Sequence, residues 1–427
     1  MKIAIAGYGV EGKASYDYWS KDPQNQLTIV DGAEHPFDVP EGVPTVTGPD
    51  AFKQLNGYDL VIRTPGLNPQ HITTDGKIWS ITNEFFAKCP APIIGITGSK
   101  GKGTTASLIA SILKAAGKTV HLVGNIGVPA IQTLDDIATD DIVVYELSSF
   151  QLWDVEYSPQ TAVVLFIEQE HLDVHPTMED YVAAKANIAR YQTSKDILIY
   201  DAGNTYVQAI ASQSEAIKIG YPSTLTTHVK DGYFWNGEQK LCSVDNLQLP
   251  GEHNVQNAIA AIDAVWQYVQ DGQVIGKGLA DFKGLEHRLK IVGKVGDITY
   301  VDDSIATTPG SAIAALQSFD GPKAIILGGS SKGSDFTELA QELLRHDVYA
   351  LLIGKEAAAI AAACDRAGFS KYKVVEFTDM DTLVRQATTL LNSKGTVLLS
   401  PAAASFGLFK NYADRGEQFI AAVQRLS

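Results

Sequence analysis

Short runs of β-branched and aliphatic residues recur along the chain, each followed by a longer stretch with Ala and Leu at helical spacing. Lys2 to Ala6, Leu27 to Val30, Leu60 to Arg63, Ile93 to Thr97, Val120 to Val123, Ile142 to Glu146, Ala162 to Ile167 and Ile197 to Tyr200 read as strands. Strands this apolar, separated by helices, predict parallel sheets with crossover connections, because a strand covered on both faces has no polar side. The pattern changes over Tyr221 to Leu249. There Tyr233-Phe234-Trp235-Asn236-Gly237 and the alternating residues after it predict a hairpin turning at Asn-Gly, a small antiparallel decoration on the second sheet. A helix over Asn254 to Tyr268 follows, and Ile298 to Val301, Lys323 to Leu327, Ala350 to Ile353, Lys373 to Glu376 and Thr396 to Leu399 supply strands for a third α/β unit.

Pro- and Gly-punctuated breaks fall at Cys89-Pro90-Ala91-Pro92 and Lys283-Gly284-Leu285. A chain of 427 residues is long enough for about three domains, so the expected division is 1–90, 91–285 and 286–427. Composition narrows the function classes. With 45% hydrophobic and 19% charged residues the chain is folded rather than disordered. Acidic residues outnumber basic ones 49 to 34, for a net charge of −15, which argues against a nucleic-acid partner because the counterion-release drive is missing. Cys89, Cys242 and Cys364 stand far apart without metal or disulfide spacing, and no long apolar run spans a bilayer. A cytoplasmic protein, neither exported nor membrane-spanning, is the expectation.

Two glycine loops carry the candidate chemistry. Gly7-Tyr8-Gly9-Val10-Glu11-Gly12 joins a strand to a helix, with Asp31 at the end of the next strand, 19 residues beyond Gly12. This is the spacing of a dinucleotide site, with a nicotinamide cofactor the first guess for the segment in isolation; a turn needed only for helix packing is the alternative. The stronger signal is Gly98-Ser99-Lys100-Gly101-Lys102-Gly103-Thr104-Thr105, between the strand Ile93 to Thr97 and the helix Ala106 to Ala116. Consecutive backbone N–H groups and a helix N-terminus can cradle phosphates, Lys102 can reach the β/γ oxygens, and a hydroxyl can hold Mg²⁺. Gly103 takes the place after the lysine where Ser or Thr is usual.

Other residues are read against plainer alternatives. Glu146, in Tyr145-Glu146-Leu147-Ser148-Ser149-Phe150-Gln151, ends a buried-looking strand where α/β sheets place ligands; it suits Mg²⁺ or is a solvated strand end. His171 and His175, in Glu170-His171-Leu172-Asp173-Val174-His175, have the spacing of a zinc pair without the full metalloprotease motif. Lys185 lies on the helix Met178 to Ala189, where an exposed lysine is the ordinary case.

Taken together these segments resemble the Mur ligase family through the whole chain. The resemblance also rests on Gly124-Asn125-Ile126-Gly127, Ala183-Ala184-Lys185, Gly251-Glu252-His253-Asn254-Val255-Gln256-Asn257, Gly284-Leu285-Glu286-His287-Arg288, Asp303-Ser304 with Ala306-Thr307, Gly328-Gly329 with Lys332-Gly333, and Ser400-Pro401-Ala402 with Ala404-Ser405. It implies three α/β domains: a Rossmann-like N-terminal domain for a UDP-linked substrate, a central P-loop ATPase-like domain with a mixed sheet, and a Rossmann-like C-terminal domain for an amino acid. It also implies ATP-dependent amide formation through an acyl phosphate, with ATP, UDP-N-acetylmuramoyl-L-alanine and D-glutamate as substrates. That places a monomeric, cytoplasmic ligase in peptidoglycan precursor synthesis, and so in cell-wall growth, cell shape and division.

The resemblance carries roles onto residues. Gly7, Gly9, Gly12, Asp31, Thr64, Pro65 and Gly66 become a UDP site, with Asn125 on the muramoyl part. Gly98 to Thr105, Asn257, Arg288 and Asp303 become the ATP site. Lys102, Glu146, His171 and Lys185 carry the catalysis, with two Mg²⁺ ions held through Thr104, Glu146, His171 and a carbamylated Lys185. Thr307, Lys332, Ser405 and the backbone near Tyr412 take the two carboxylates of glutamate.

Several positions depart from the family pattern. The usual Asn-Asp-Ser-Lys-Ala-Thr-Asn run reads Asp302-Asp303-Ser304-Ile305-Ala306-Thr307-Thr308, so Ile305 replaces a cation. Phe166-Ile167-Glu168 stands for Asn-Ile-Thr, making Glu168 either a further acidic neighbour of the metals or a changed loop. Gly103 is shared with folylpolyglutamate synthases, which makes a relative with another amino acid or acceptor the runner-up. A non-catalytic nucleotide-binding relative and an NAD-dependent dehydrogenase are the remaining alternatives.

Overall fold

The apolar runs become strands where both faces are covered: all five residues of Ile93–Thr97 and all seven of Lys323–Gly329 are buried. The computed structural model describes residues 1–33, 38–124, 129–170, 174–330, 334–405 and 407–426. Its contacts divide the chain into two units, Met1–Phe282 and Lys283–Ser427.

The first unit opens with β1 (Lys2–Ala6), α1 (Val10–Trp19), β2 (Gln26–Asp31), β3 (Thr45–Thr47), β4 (Leu60–Arg63), β5 (Lys77–Ser80) and α2 (Ile81–Lys88). The strands lie in the order β3-β2-β1-β4-β5, all parallel. Strand order reverses between β1 and β4, and a crevice opens at the carboxyl ends of strands on either side of such a reversal. The loops after β1 and β4, with Gly7 and Thr64, therefore meet there.

The same unit continues with β6 (Ile93–Thr97), α3 (Lys102–Ala115), β7 (Val120–Gly124), β8 (Ile142–Glu146), α4 (Ser149–Leu152), β9 (Thr161–Val164), α5 (Met178–Arg190), β10 (Ile197–Asp201), α6 (Thr205–Gln213) and β11 (Ile217–Tyr221). These strands form a second parallel sheet, β11-β10-β9-β6-β8-β7. With β8 and β9 flanking β6, the carboxyl ends bearing Glu146, the phosphate loop and Glu168 are neighbours.

The expected hairpin forms, but with a difference. β12 (Thr227–Lys230), β13 (Tyr233–Asn236) and β14 (Gln239–Ser243) make their own antiparallel sheet instead of extending the six-stranded one. It is held by the buried Phe234 and by Asp263, whose Oδ1 accepts from the amide and hydroxyl of Thr227. Asp263 belongs to α7 (Glu252–Val265), and α8 (Gly272–Asp281) follows. α8 approaches α3 so closely that a Cβ on Gly278 would stand 2.4 Å from the Ile112 Cα.

The second unit holds β15 (Lys290–Val295), β16 (Asp297–Asp302), α9 (Pro309–Gln317), β17 (Lys323–Gly329), α10 (Thr337–Arg345), β18 (Val348–Gly354), α11 (Ala357–Ala367), β19 (Tyr372–Val374), α12 (Met380–Thr389), β20 (Lys394–Leu399) and α13 (Tyr412–Gln424). Its sheet runs β15-β16-β20-β17-β18-β19, with only β15 antiparallel to its neighbour. Because β20 inserts between β16 and β17, the loops after Asp302, Leu399 and Gly329 become neighbours. Among the described residues, no helix is long and apolar enough to cross a membrane.

Candidate active site

The phosphate loop is shaped by two glycines and filled by two lysines. Gly98 has φ +150°, and a Cβ there would lie 2.7 Å from that of Leu165. Gly101, at the N-cap of α3, has φ +86°, a left-handed conformation that disfavours any side chain, and a Cβ would stand 2.4 Å from Asn257 Oδ1. The missing side chain at Gly101 is what lets Asn257, from α7, reach the loop. Asn257 is oriented by its own amide, which donates to Asn254 Oδ1 at 3.2 Å. Lys102 Nζ donates to the carbonyls of Gly98 (2.9 Å) and Ser99 (2.8 Å). Thr104 and Thr105 are buried on the first turn of α3.

Lys185 is not the exposed helix lysine of the plainer reading. It is fully buried, donates to the Gly98 carbonyl at 2.8 Å and to Thr97 Oγ1 at 3.4 Å, and lies 4.6 Å from the centre of the Tyr181 ring. Burial, then the neighbouring Lys102 charge, push its pKa well below the usual lysine value, against the carboxylates of Glu170 and Glu146. The ends of β6, β8 and β9 and the helix α5 thus bring Lys102, Lys185, Glu146 and Glu170 into one electrostatic cluster. Glu146 is buried at the last position of β8.

The departure at Glu168 has a local role. Its carboxylate pairs with Lys100 at 2.5 Å, its amide donates to Ser99 Oγ at 3.0 Å, and its carbonyl accepts from that hydroxyl at 3.1 Å. It braces the phosphate loop. The strand before it stops at Val164 instead of running to Ile167, because residues beyond it turn to make this contact; Ser99 N donates to Phe166 O at 2.8 Å.

His175 is not free to join a zinc pair. Its Nδ1 bonds Asp180 at 2.7 Å and its Nε2 bonds Ser149 at 3.0 Å, within a fully buried ring, so both nitrogens are committed. Among the described residues no group of three His, Cys, Asp or Glu side chains has the placement to hold a metal. His171, Asn125 and Lys332 lie outside the described residues.

In the first sheet, Asp31 closes the loop of Gly7 and Gly9 by accepting from Tyr8 N (2.7 Å) and Ala33 N (2.8 Å). Packing explains two of the three glycines. A Cβ on Gly7 would meet Thr64 Oγ1 at 2.2 Å, and one on Gly12 would meet the Gly7 carbonyl at 2.0 Å, whereas a Cβ on Gly9 would meet nothing within 4 Å. Thr64 turns back with its hydroxyl on Ala6 O at 3.2 Å, so the turn with Pro65 and Gly66 lies beside the glycine loop.

The remaining candidates belong to the second unit. Asp303 accepts from Ser400 Oγ at 2.7 Å and from Leu289 N at 3.2 Å, and burial raises its pKa to about 7 against those bonds and the Arg288 charge. His287 pairs with the buried Asp302 at 2.6 Å, and its ring lies edge-on to Tyr412. Arg288 is exposed, Thr307 half-buried and Ser405 buried. Ile305 anchors its loop by its backbone, donating to His287 O at 3.0 Å.

Sequence reasoning missed Tyr181, Arg63, Glu11 and Arg415. Tyr181 bonds Ser99 and Glu170. Arg63 is fully buried and joins Asp154 and the carbonyls of Thr64, Leu67 and Phe150. The one available signal was a charge closing the apolar run Leu60-Val61-Ile62-Arg63, since a buried arginine requires a partner.

Sequence models of the Mur ligase middle domain and of the Mur ligase glutamate ligase domain match residues 96–265 and 287–403. The chain belongs to the Mur ligase family, which sets aside the dehydrogenase alternative. Over its whole length it is 32% identical to the UDP-N-acetylmuramoylalanine--D-glutamate ligase of Clostridium tetani, covering 97% of that protein. It is 36% identical to the enzyme of the same name from Acetivibrio thermocellus, over 87% of this chain and 84% of the relative. The fold is shared with UDP-N-acetylmuramate-alanine ligase from Thermotoga maritima, at TM-score 0.61 and 20% identity over both full chains. It is also shared with the ADP-bound MurF ligase from Thermotoga maritima, at TM-score 0.58 and 17% identity, over 87% of this chain and 90% of that one.

Proposed function

We propose that this protein is the ATP-dependent ligase that adds D-glutamate to UDP-N-acetylmuramoyl-L-alanine, releasing ADP and phosphate, in peptidoglycan precursor synthesis. The observation that carries the reading is the pairing of Lys102 and Lys185 on the Gly98 carbonyl, with Glu146 and Glu170 close by, in a chain similar along its length to ligases of that name. The family uses ATP and Mg²⁺.

Consecutive N–H groups of Gly98 to Thr105 and the N-terminus of α3 receive the phosphates. Lys102 exchanges the carbonyls it now holds for β/γ oxygens, so no desolvated ammonium is left unpaired in either state. The oxygen donors Glu146 and Thr104 form the hard set that Mg²⁺ prefers. An ion held by these residues would supply charge neutralisation for the transferring phosphoryl group. The substrate carboxylate attacks the γ-phosphorus as its bond to ADP breaks; the glutamate amine then attacks the acyl carbonyl, and phosphate leaves as the amine proton is lost.

Lys185 suits carbamylation. Only a neutral amine attacks CO₂, losing a proton as the C–N bond forms, and the depressed pKa supplies that amine. The product anion would support a second Mg²⁺, with His171 as a further ligand. The sites divide as residues 1–90 for the UDP part, with Gly7, Gly9, Gly12, Asp31 and Thr64 to Gly66; 91–285 for ATP; and 286–427 for the amino acid. Asn125 takes the muramoyl part, Asn257, Arg288 and Asp303 complete the ATP site, and Thr307, Lys332, Ser405 and Tyr412 take glutamate. The enzyme works as a cytoplasmic monomer.

The test is ADP release by the full chain with UDP-N-acetylmuramoyl-L-alanine, ATP, Mg²⁺ and D-glutamate. Turnover requiring all four is the expected result. Turnover with L-glutamate or a folate acceptor and none with D-glutamate would refute it.

A further inference from the structure

Arg415 lies on α13, outside every motif that the sequence singled out, and its side chain is completely buried. Its Nε donates to Ser304 Oγ at 2.9 Å, Nη2 to the Ser304 carbonyl at 2.7 Å and Nη1 to the Ala403 carbonyl at 3.2 Å. Ser304 Oγ in turn donates to the Tyr412 carbonyl at 2.7 Å. One planar guanidinium therefore joins three loops: the one after β16 that leads to Thr307, the one after β20 that leads to Ser405, and the start of α13 at Tyr412. These carry the described residues assigned above to the amino acid.

The loop it grips also holds strain. Ala402, one residue before the Ala403 carbonyl, has φ +56°, a left-handed conformation that alanine rarely adopts and that persists only where its surroundings enforce it. Gly328 N on Pro401 O at 2.7 Å holds one side of Ala402, and Arg415 holds the other. Burial brings the pKa of Arg415 down to about 10, with Asp302 and Asp303 opposing the shift, so the group keeps its charge at neutral pH. Three donors in one rigid fork hold two backbone carbonyls and the Ser304 hydroxyl at once, which a lysine's single flexible ammonium cannot do.

We propose that Arg415 is a positioning residue for the amino-acid site, setting the spacing of the loops bearing Thr307 and Ser405 and the Tyr412 end of α13, and through it the affinity for the incoming amino acid. The proposal rests on the glutamate-site assignment made above. Hydroxyl and N–H groups recognise carboxylates only within a narrow range of distance, so loosening the fork weakens amino-acid binding before it disturbs a site built on other elements. The substrate held by the first unit should not sense the change.

The experiment compares Arg415→Lys and Ser304→Ala with the wild-type full chain, measuring KM for D-glutamate and for UDP-N-acetylmuramoyl-L-alanine together with the melting temperature. Arg415→Lys should raise KM for D-glutamate about tenfold, with KM for the UDP-linked substrate within about twofold. Ser304→Ala, which removes one acceptor and the link to Tyr412 but keeps the charge, should move the same ratio in the same direction by about threefold, and it keeps the test decisive if the arginine variant does not fold. A folded Ser304→Ala with an unchanged ratio of KM values would overturn the proposal, as would a parallel rise in both KM values with lowered melting temperature. Wild-type enzyme that uses L-glutamate and not D-glutamate would overturn the substrate reading alone. The same KM ratio measured with L-glutamate then decides the role of Arg415.

Discussion

The loop after β1 and the loop after β6 share a strand, glycine turn and helix, yet they carry opposite charge. In the first, both oxygens of Asp31 are used to hold the amides of Tyr8 and Ala33. In the second, Lys102 and Lys185 converge on the Gly98 carbonyl. The backbone device for anions is common to both, and the side chains around it set what each prefers: an acid suits ribose hydroxyls, and lysines suit a triphosphate. A glycine pattern therefore locates a candidate ligand loop without naming its ligand.

Five substitutions would break or sharpen this contrast. Lys102→Ala should lower kcat by about 10³-fold while leaving KM for the UDP-linked substrate within about twofold, measured by ADP release. An equal loss in UDP-substrate affinity would mean that the two loops do not have separate ligands. Next, Gly12→Ala should cost about 1–3 kcal/mol of stability through its collision with the Gly7 carbonyl. Gly9→Ala, with open space around it, should leave thermal melting unchanged and raise KM for the UDP-linked substrate.

Asp31→Asn turns an amide NH₂ toward one of the two N–H groups it now accepts from, so KM for the UDP-linked substrate should rise about tenfold with KM for ATP unmoved. The smallest effect concerns Glu11, on the first turn of α1. Burial lifts its carboxyl from 4.5 to about 7, against a hydrogen bond from Gln151 and the Arg63 charge. The folded state thus favours the protonated form, and stability is lost as pH rises from about 4.5 to about 7. Glu11→Gln has no such loss, so its melting-temperature advantage over wild type should grow across that window; a constant offset would show that Glu11 does not titrate there.

The strands richest in Ile and Val were legible in the sequence, because burial on both faces leaves a local record. Thr45–Thr47, Lys77–Ser80, Ile217–Tyr221, Thr227–Lys230 and Lys290–Val295 were not. They are sheet-edge strands, short or carrying polar residues, and become strands by pairing with a neighbour that only the fold supplies. The phosphate loop was legible through its spacing. Its partners Tyr181, Glu168 and Asn257 come from three other segments, and of these only Tyr181 stood outside every motif the sequence singled out.

The sequence by itself determined where the backbone must turn with positive φ, at Gly7, Gly98 and Gly101, since steric limits act within a few residues. It set the helix starts less closely: α3 begins at Lys102 rather than Ala106, and α7 at Glu252 rather than Asn254. Only the tertiary structure decided which charges share a buried site. Strand order sets β6 between β8 and β9, joining Lys102 to Lys185 and Glu146, and sets β20 between β16 and β17, giving Arg415 its three carbonyl and hydroxyl partners. Such groupings depend on contacts across a hundred residues, and desolvation then shifts each group's protonation in a way that no local pattern records.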